Sequence, residues 1–230
     1  MKREEQQVEK RQEKYSLWLC PEASSKVFQL LARTITALGQ DIKQRQEPEI
    51  AEERPAQREA HEEEELDEEG PLFSGHVTLL GSLYDEKGGK NVIERTKELA
   101  QQCAPFQVTM SELGAESLYY RCVMAYTEHS PQLMEAHEKA KAVFHRGEGE
   151  KEQQPYSPHI SLAYATLRGL PLEDRLEMVS RLQKEGTLTP QSVCFRVGSV
   201  QIWKTSGPVR GWYKLEEFPL VGSSDEEQRD

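Results

Sequence analysis

The sequence predicts an α+β fold with antiparallel sheets, and three observations predict it. Helical and strand signals alternate without the regular βαβα beat of a doubly wound parallel sheet. No Gly-rich phosphate loop of the P-loop or dinucleotide-binding kind is present, which argues against nucleoside triphosphate and dinucleotide ligands. The chain has 230 residues, 36% hydrophobic and 30% charged, room for one domain with a buried core and a surplus of charge that must lie outside it.

That surplus is localised. Residues 41–70 hold thirteen acidic side chains against four basic ones, residues 221–230 hold four against one, and residues 1–14 are nearly balanced, so the rest carries no net charge although the whole chain carries −11. The three segments have few sizeable apolar groups and cannot offset their ordering entropy by burial. They are expected to be a charged N-terminal tail (1–14), an acidic disordered or frayed-helical insertion (41–70) and an acidic C-terminal tail (221–230) around one domain over 15–220. No basic stripe marks a duplex nucleic-acid surface. No apolar run is long enough for a membrane span and the N-terminus lacks a signal core, so a cytoplasmic protein is expected. Cys20, Cys103, Cys122 and Cys194 are too widely spaced for a zinc site and leave one redox-sensitive bridge open.

Four helices are expected. Val27, Leu30, Leu31, Thr34, Ile35 and Leu38 keep helical spacing behind Ser24 and Ser25 and stop at Gly39. Val92, Ile93, Thr96, Leu99, Ala100 and Cys103 repeat the pattern. Ser130 and Pro131 open a third helix with Leu133, His137, Ala140 and Phe144 on one face. The fourth, Pro171 to Lys184, places Leu172, Leu176 and Val179 inward and stops at Gly186. Strands are expected at Tyr15–Leu19, His76–Leu80, Phe106–Met110, Leu118–Tyr126, His159–Ala163, Val193–Trp203 and Trp212–Phe218.

One short pattern occurs twice. Gly75-His76-Val77-Thr78-Leu79 and Pro158-His159-Ile160-Ser161-Leu162 both read His, β-branched, hydroxyl, Leu. In a strand, His76 and Thr78 share one face while Val77 and Leu79 share the other, and the second copy does likewise. Two imidazoles with pKa near ~6.5 can take a proton from water and give one to a leaving oxygen at neutral pH. The hydroxyls are suited to nonbridging phosphate oxygens, where negative charge gathers. Either string alone is weak evidence; the pair is strong. His61, His129, His137 and His145 read as surface or packing residues.

In these residues the sequence resembles the two-histidine (2H) phosphoesterase superfamily, and most the plant and yeast cyclic phosphodiesterase branch. The likeness covers residues 15–40 and 71–220. It extends to Tyr15–Glu22, to Tyr120–Val123 with the helix opening at Ser130, and to Pro155–Tyr164, and it has no counterpart for 41–70. It implies a bilobal α+β fold, two antiparallel sheets with outer helices facing each other across a central cleft about a pseudo-twofold axis. It implies hydrolysis of ADP-ribose 1″,2″-cyclic phosphate or of nucleoside 2′,3′-cyclic phosphates to 2′-phosphates, without metal or other cofactor. His76 and His159 are the implied catalytic residues, Thr78 and Ser161 the phosphate contacts and Tyr164 a substrate contact. By the same analogy His159 activates water and His76 protonates the leaving oxygen. The expected partner is a small-molecule cyclic phosphate, met by a monomer.

Tyr164 lies an odd number of residues after His159, so only a strand end near Ala163 turns its ring towards a ligand; otherwise it packs in the core. Trp212 reads as core ahead of base platform. Arg121, Arg196, Lys204 and Arg210 read as solvated edge residues ahead of phosphate contacts. Two alternatives stay open: a 2H phosphoesterase that processes RNA ends, as a 2′-5′ ligase or an exonuclease, and a noncatalytic nucleotide-binding module.

Overall fold

In this computed structural model, residues 13–52, 73–85, 88–144, 155–164 and 169–222 are described. The elements in chain order are β1 (Glu13–Leu19), α1 (Lys26–Glu52), β2 (Val77–Asp85), α2 (Lys90–Gln102), β3 (Phe106–Gly114), β4 (Val123–Thr127), α3 (Pro131–Val143), β5 (His159–Ala163), α4 (Leu172–Glu185), β6 (Cys194–Val197), β7 (Ser199–Lys204) and β8 (Tyr213–Pro219). Short 3₁₀ turns at Tyr119–Arg121 and Val209–Gly211 precede β4 and β8.

The strands form one curled, wholly antiparallel sheet in the order β6-β3-β4-β5-β2-β1-β7-β8. Its two four-stranded halves meet at β5 and β2, where the register is carried by the pair Val77 and Ile160. The two strands bearing the repeated string are therefore the two central strands, one from each half. The helices cover the apolar face: α1 packs on β5, α4 on β3 and β4, α2 on β7, β8 and β2, and α3 on β2 and β3. Leu17, Leu19, Val77, Leu79, Ile160, Leu162, Val200 and Ile202 all point into this core, as the period of two requires.

All four expected helices are present, with two differences. Gly39 does not end α1, which runs to Glu52. The buried stripe Leu31, Ile35, Leu38 continues to Ile42, and Asp41 and Arg45 hold ion pairs with Arg181, Asp174 and Glu177 of α4. The boundary drawn at residue 41 thus falls inside a helix, because one more apolar residue at helical spacing and a cross-helix charge cluster outweigh a single glycine. In α4 the inward face is Arg175, Met178, Val179 and Leu182, while Leu172 and Leu176 are exposed. A buried arginine has taken the apolar stripe's place: Arg175 donates through Nε to the Leu170 carbonyl (2.7 Å) and through Nη1 to the carbonyls of Glu116 and Leu118.

Two expected strands divide. Leu118–Tyr126 is a 3₁₀ turn followed by β4. Val193–Trp203 breaks at Gly198 into β6 and β7, which lie at opposite parts of the sheet. Hydrophobic pattern alone does not reveal where a chain crosses from one half to the other. β1 begins at Glu13; of the segments expected at 1–14, 41–70 and 221–230, residues 1–12, 53–70 and 223–230, together with His61 and His145, lie outside the described residues. The four cysteines are free thiols. Among the described residues no helix is long and apolar enough to cross a membrane.

Candidate active site

The face of the sheet turned away from the helices carries the polar side chains. Val77 opposes Ile160, so in an antiparallel pair His76 stands opposite Ser161 and Thr78 opposite His159. All four lie one position from a core-facing residue and share the other face. The two histidines are diagonal neighbours, a Cβ separation of about 7 to 8 Å or slightly less. The register on either side adds Met124 and Tyr126 of β4, opposite Ser161 and His159, and Trp18 of β1, opposite Thr78. Ser16, Gln201 and Trp203 follow.

Both imidazoles are held by the same local device. Nδ1 of His76 lies 2.5 Å from the Ser74 carbonyl oxygen and Nδ1 of His159 lies 2.8 Å from the Ser157 carbonyl oxygen. A carbonyl only accepts, so each Nδ1 carries the proton and each Nε2 is left with the lone pair. Nε2 takes a proton when the ring is neutral and donates one when it is charged.

The surroundings differ. His76 is buried, 3% exposed. It stacks on Trp18 at 3.4 Å between ring centroids with 7° between planes, and Trp18 stacks in turn on Trp203 at 4.3 Å. Burial pushes its pKa down to about 3, against the pull of the Ser74 carbonyl, and the charge of His159 lowers it further. His159 is half-buried. Burial lowers its pKa too, the Ser157 carbonyl opposes the shift, and Arg121 and Glu116 act on it with opposite signs.

The hydroxyls also differ. Ser161 Oγ donates to the Tyr120 carbonyl at 3.0 Å. Thr78 is half-buried; its backbone carbonyl accepts from Tyr156 Oη at 2.9 Å, and among the described residues its hydroxyl has no hydrogen-bond partner. Thr78 can therefore donate to a ligand without breaking an existing bond.

β5 ends at Ala163, the strand end that Tyr164 needs in order to turn. Its ring is buried and stacked on Phe73 at 4.1 Å, with Phe73 edge-on to His76 at 6.1 Å. Burial raises the Tyr164 phenol pKa, and Ser161 stands within hydrogen-bonding reach of it. The strand end is thus where Tyr164 needs it, and the ring itself is packed against Phe73 beside His76. Trp212 is half-buried with its ring 5.9 Å from that of exposed Tyr120, which comes from the other half of the sheet. Trp212 is therefore a rim residue and not part of the core. The structure also brings in Trp18, Trp203, Glu116 and Arg121. Alternation signals Trp18 and Trp203, since Leu17, Leu19 and Ile202 face the core; Arg121, expected as a solvated edge residue, is partly buried in an ion pair with Glu116, which nothing local signals. Among the described residues no group of three or more His, Cys, Asp or Glu side chains could hold a metal ion.

Comparison with known proteins identifies a family and a fold for the chain. A family model described as cyclic phosphodiesterase-like protein matches residues 14–220. A cyclic phosphodiesterase of Arabidopsis thaliana is 30% identical over 101 residues, covering 43% of this chain and 51% of that protein; the chain thus spans about half the length of the curated relative it matches. A solved phosphoesterase structure superposes with a TM-score of 0.50 at 12% identity, covering 91% of this chain and 99% of the other. A Thermus thermophilus structure gives 0.54 at 16% identity, covering 92% and 100%. At these identities the solved structures speak for the fold alone: a curled antiparallel sheet with helices on one face.

Proposed function

The chain belongs to the cyclic phosphodiesterase-like family, and from that premise we propose that it hydrolyses cyclic phosphate diesters. The proposed substrates are ADP-ribose 1″,2″-cyclic phosphate and nucleoside 2′,3′-cyclic phosphates, opened to the 1″-phosphate and the 2′-phosphate by His76 and His159 acting as an acid–base pair. The single observation that carries this reading is the register at Val77 and Ile160, which supports a site with His76, Thr78, His159 and Ser161 on one sheet face.

In the proposed reaction Nε2 of His159 takes a proton from water as the water oxygen bonds to phosphorus. The bond from phosphorus to one ring oxygen breaks, and Nε2 of His76 delivers a proton to that oxygen. Burial alone keeps His76 neutral, so it must take up its proton with the anion present. A phosphate monoanion against Nε2 supplies the counter-charge that burial denies it, and the face of Trp18 offers the resulting imidazolium a cation–π partner. The Thr78 hydroxyl donates to a nonbridging oxygen; Ser161 does so after exchanging the Tyr120 carbonyl. A strained five-membered ring leaves little for the protein to supply beyond placement and two proton transfers, each worth about 10² to 10⁴ in rate.

The protein is proposed to act as a cytoplasmic monomer on a small soluble substrate. Incubating purified protein with 2′,3′-cyclic nucleotides and with ADP-ribose 1″,2″-cyclic phosphate in EDTA tests the proposal. Phosphomonoester formation, with the nucleotide products carrying a 2′-phosphate, is the expected outcome; binding without turnover would reduce the site to a nucleotide-holding module.

A further inference from the structure

The two halves of the site are held differently, and the difference centres on the turn between β3 and β4. Carbonyls of that turn are pinned by buried donors. Arg175 reaches the carbonyls of Glu116 and Leu118, and Ser161 Oγ reaches that of Tyr120. What the pinned turn presents is a charge pair. Arg121 Nη2 lies 2.6 Å from Glu116 Oε1, the Tyr126 hydroxyl donates to the same Glu116 oxygen at 2.8 Å, and Arg121 Nη2 donates to Ser157 Oγ at 3.1 Å. Ser157 is the residue whose carbonyl holds Nδ1 of His159.

Stability does not explain this placement. Arg121 Nε is buried with no hydrogen-bond partner, an arrangement that costs about 1 to 3 kcal/mol. Among the described residues the Ser74 hydroxyl, at the equivalent place before His76, is held by no side chain.

We propose that Arg121, braced by Glu116, is a positioning residue for His159: through the Ser157 hydroxyl it anchors the segment whose carbonyl orients the imidazole, and it sets a fixed positive charge beside the ring that is to accept a proton. The groups facing His159 are Arg121 and Glu116 from the turn, Tyr126 directly opposite on β4 and His76 at the mouth of β2. Arg121 opposes protonation of His159 and Glu116 favours it, so the pair works as an adjustable bias on the ring. The catalytic consequence rests on the cyclic-phosphate reading; the bias itself does not.

The test is an NMR titration of the histidine rings in the full-length free protein, with His159 assigned by loss of its signals in His159→Asn. Arg121→Gln is expected to raise the His159 pKa by about half a unit or more, and Glu116→Gln to lower it. Arg121→Lys keeps the charge and is expected to stay near the wild-type value. In turnover of a 2′,3′-cyclic nucleotide, the acid limb of kcat/KM is expected to move in the same directions. Shifts of the same sign in both neutral variants, or an unmoved His159, would overturn the proposal. So would a rise in KM for Arg121→Gln with no change in the titration, since that identifies a direct substrate contact. Should Arg121→Gln fail to fold, the sign of the Glu116→Gln shift still decides. Absent turnover alongside the expected titration shifts refutes the functional reading and leaves this one standing.

Discussion

His76 and His159 begin the same four-residue pattern, hold Nδ1 against the carbonyl two residues back, and share one face of the sheet, yet one is sealed under tryptophans and the other stands beside an ion pair. The residue before each makes the contrast plain. Gly75 is pressed against α1, where an added Cβ would come within 2.8 Å of Leu31. Pro158 instead offers its carbonyl to the Thr127 amide at 3.1 Å. A repeated string thus fixes a ring's tautomer through its own backbone, while neighbouring strands decide how readily the ring takes a charge.

The largest expected effect tests the proposed equivalence of the pair. His76→Ala and His159→Ala are each expected to lower kcat/KM by about 10² to 10⁴ while circular dichroism shows the fold retained. A near-wild-type rate from either would end the assignment of that residue. The thermal midpoint sharpens the contrast: His76→Ala opens a cavity beneath Trp18 and is expected to lower it more than His159→Ala does.

The hydroxyls come next. Thr78→Val removes an uncommitted donor and is expected to cost about a hundredfold in kcat with little change in stability. Ser161→Ala also removes the hydrogen bond to the Tyr120 carbonyl, so it is expected to lose about 1 kcal/mol of stability besides activity, as read by denaturant unfolding. Equal stability losses from both would erase the distinction between a free hydroxyl and an engaged one.

Gly75→Ala is expected to cost about 1 to 3 kcal/mol, because the near atoms include Leu31 Cβ, which cannot swing aside. Pro158→Ala keeps the carbonyl bond to Thr127 and is expected to cost less, about 0.4 to 1 kcal/mol from greater freedom of the unfolded chain.

The smallest effect is pH-linked. His76 has a folded pKa below its unfolded value near ~6.5, so its contribution to stability is present above that value and is lost as pH falls towards about 3. Between pH 7 and 5.5 the loss is expected to be about 1 kcal/mol. His76→Phe, which preserves the stack on Trp18, is expected to flatten this slope. His159→Phe is expected to flatten it less, and a reversed order would contradict the burial difference.

Much of this was legible in the residues themselves. The four helices follow from apolar spacing at Leu31 and Ile35, Leu99 and Ala100, Leu133 and Ala140, and Leu172, Leu176 and Val179, although of these last three only Val179 faces inward, because a buried arginine does not register as apolar. The doubled string marked the candidate site because alternation along a strand commits His76 and Thr78, or His159 and Ser161, to one side. Trp18 was accessible by the same rule. The division of Val193–Trp203 and the continuation of α1 past Gly39 were not legible, since both depend on partners far away in sequence.

The sequence by itself determined the fold class, the two strands that carry the candidate site and, through core-facing Val77 and Ile160, which side of each strand is turned away from the core. These are consequences of local periodicity and of the need to bury apolar side chains. Tertiary structure alone decided that β2 and β5 are neighbours, that Trp18 and Trp203 seal His76, and that Arg121 and Glu116 flank His159. Side-chain proximity across strands depends on register between segments more than eighty residues apart, and a ring's charge depends on the solvent and charges that register leaves around it.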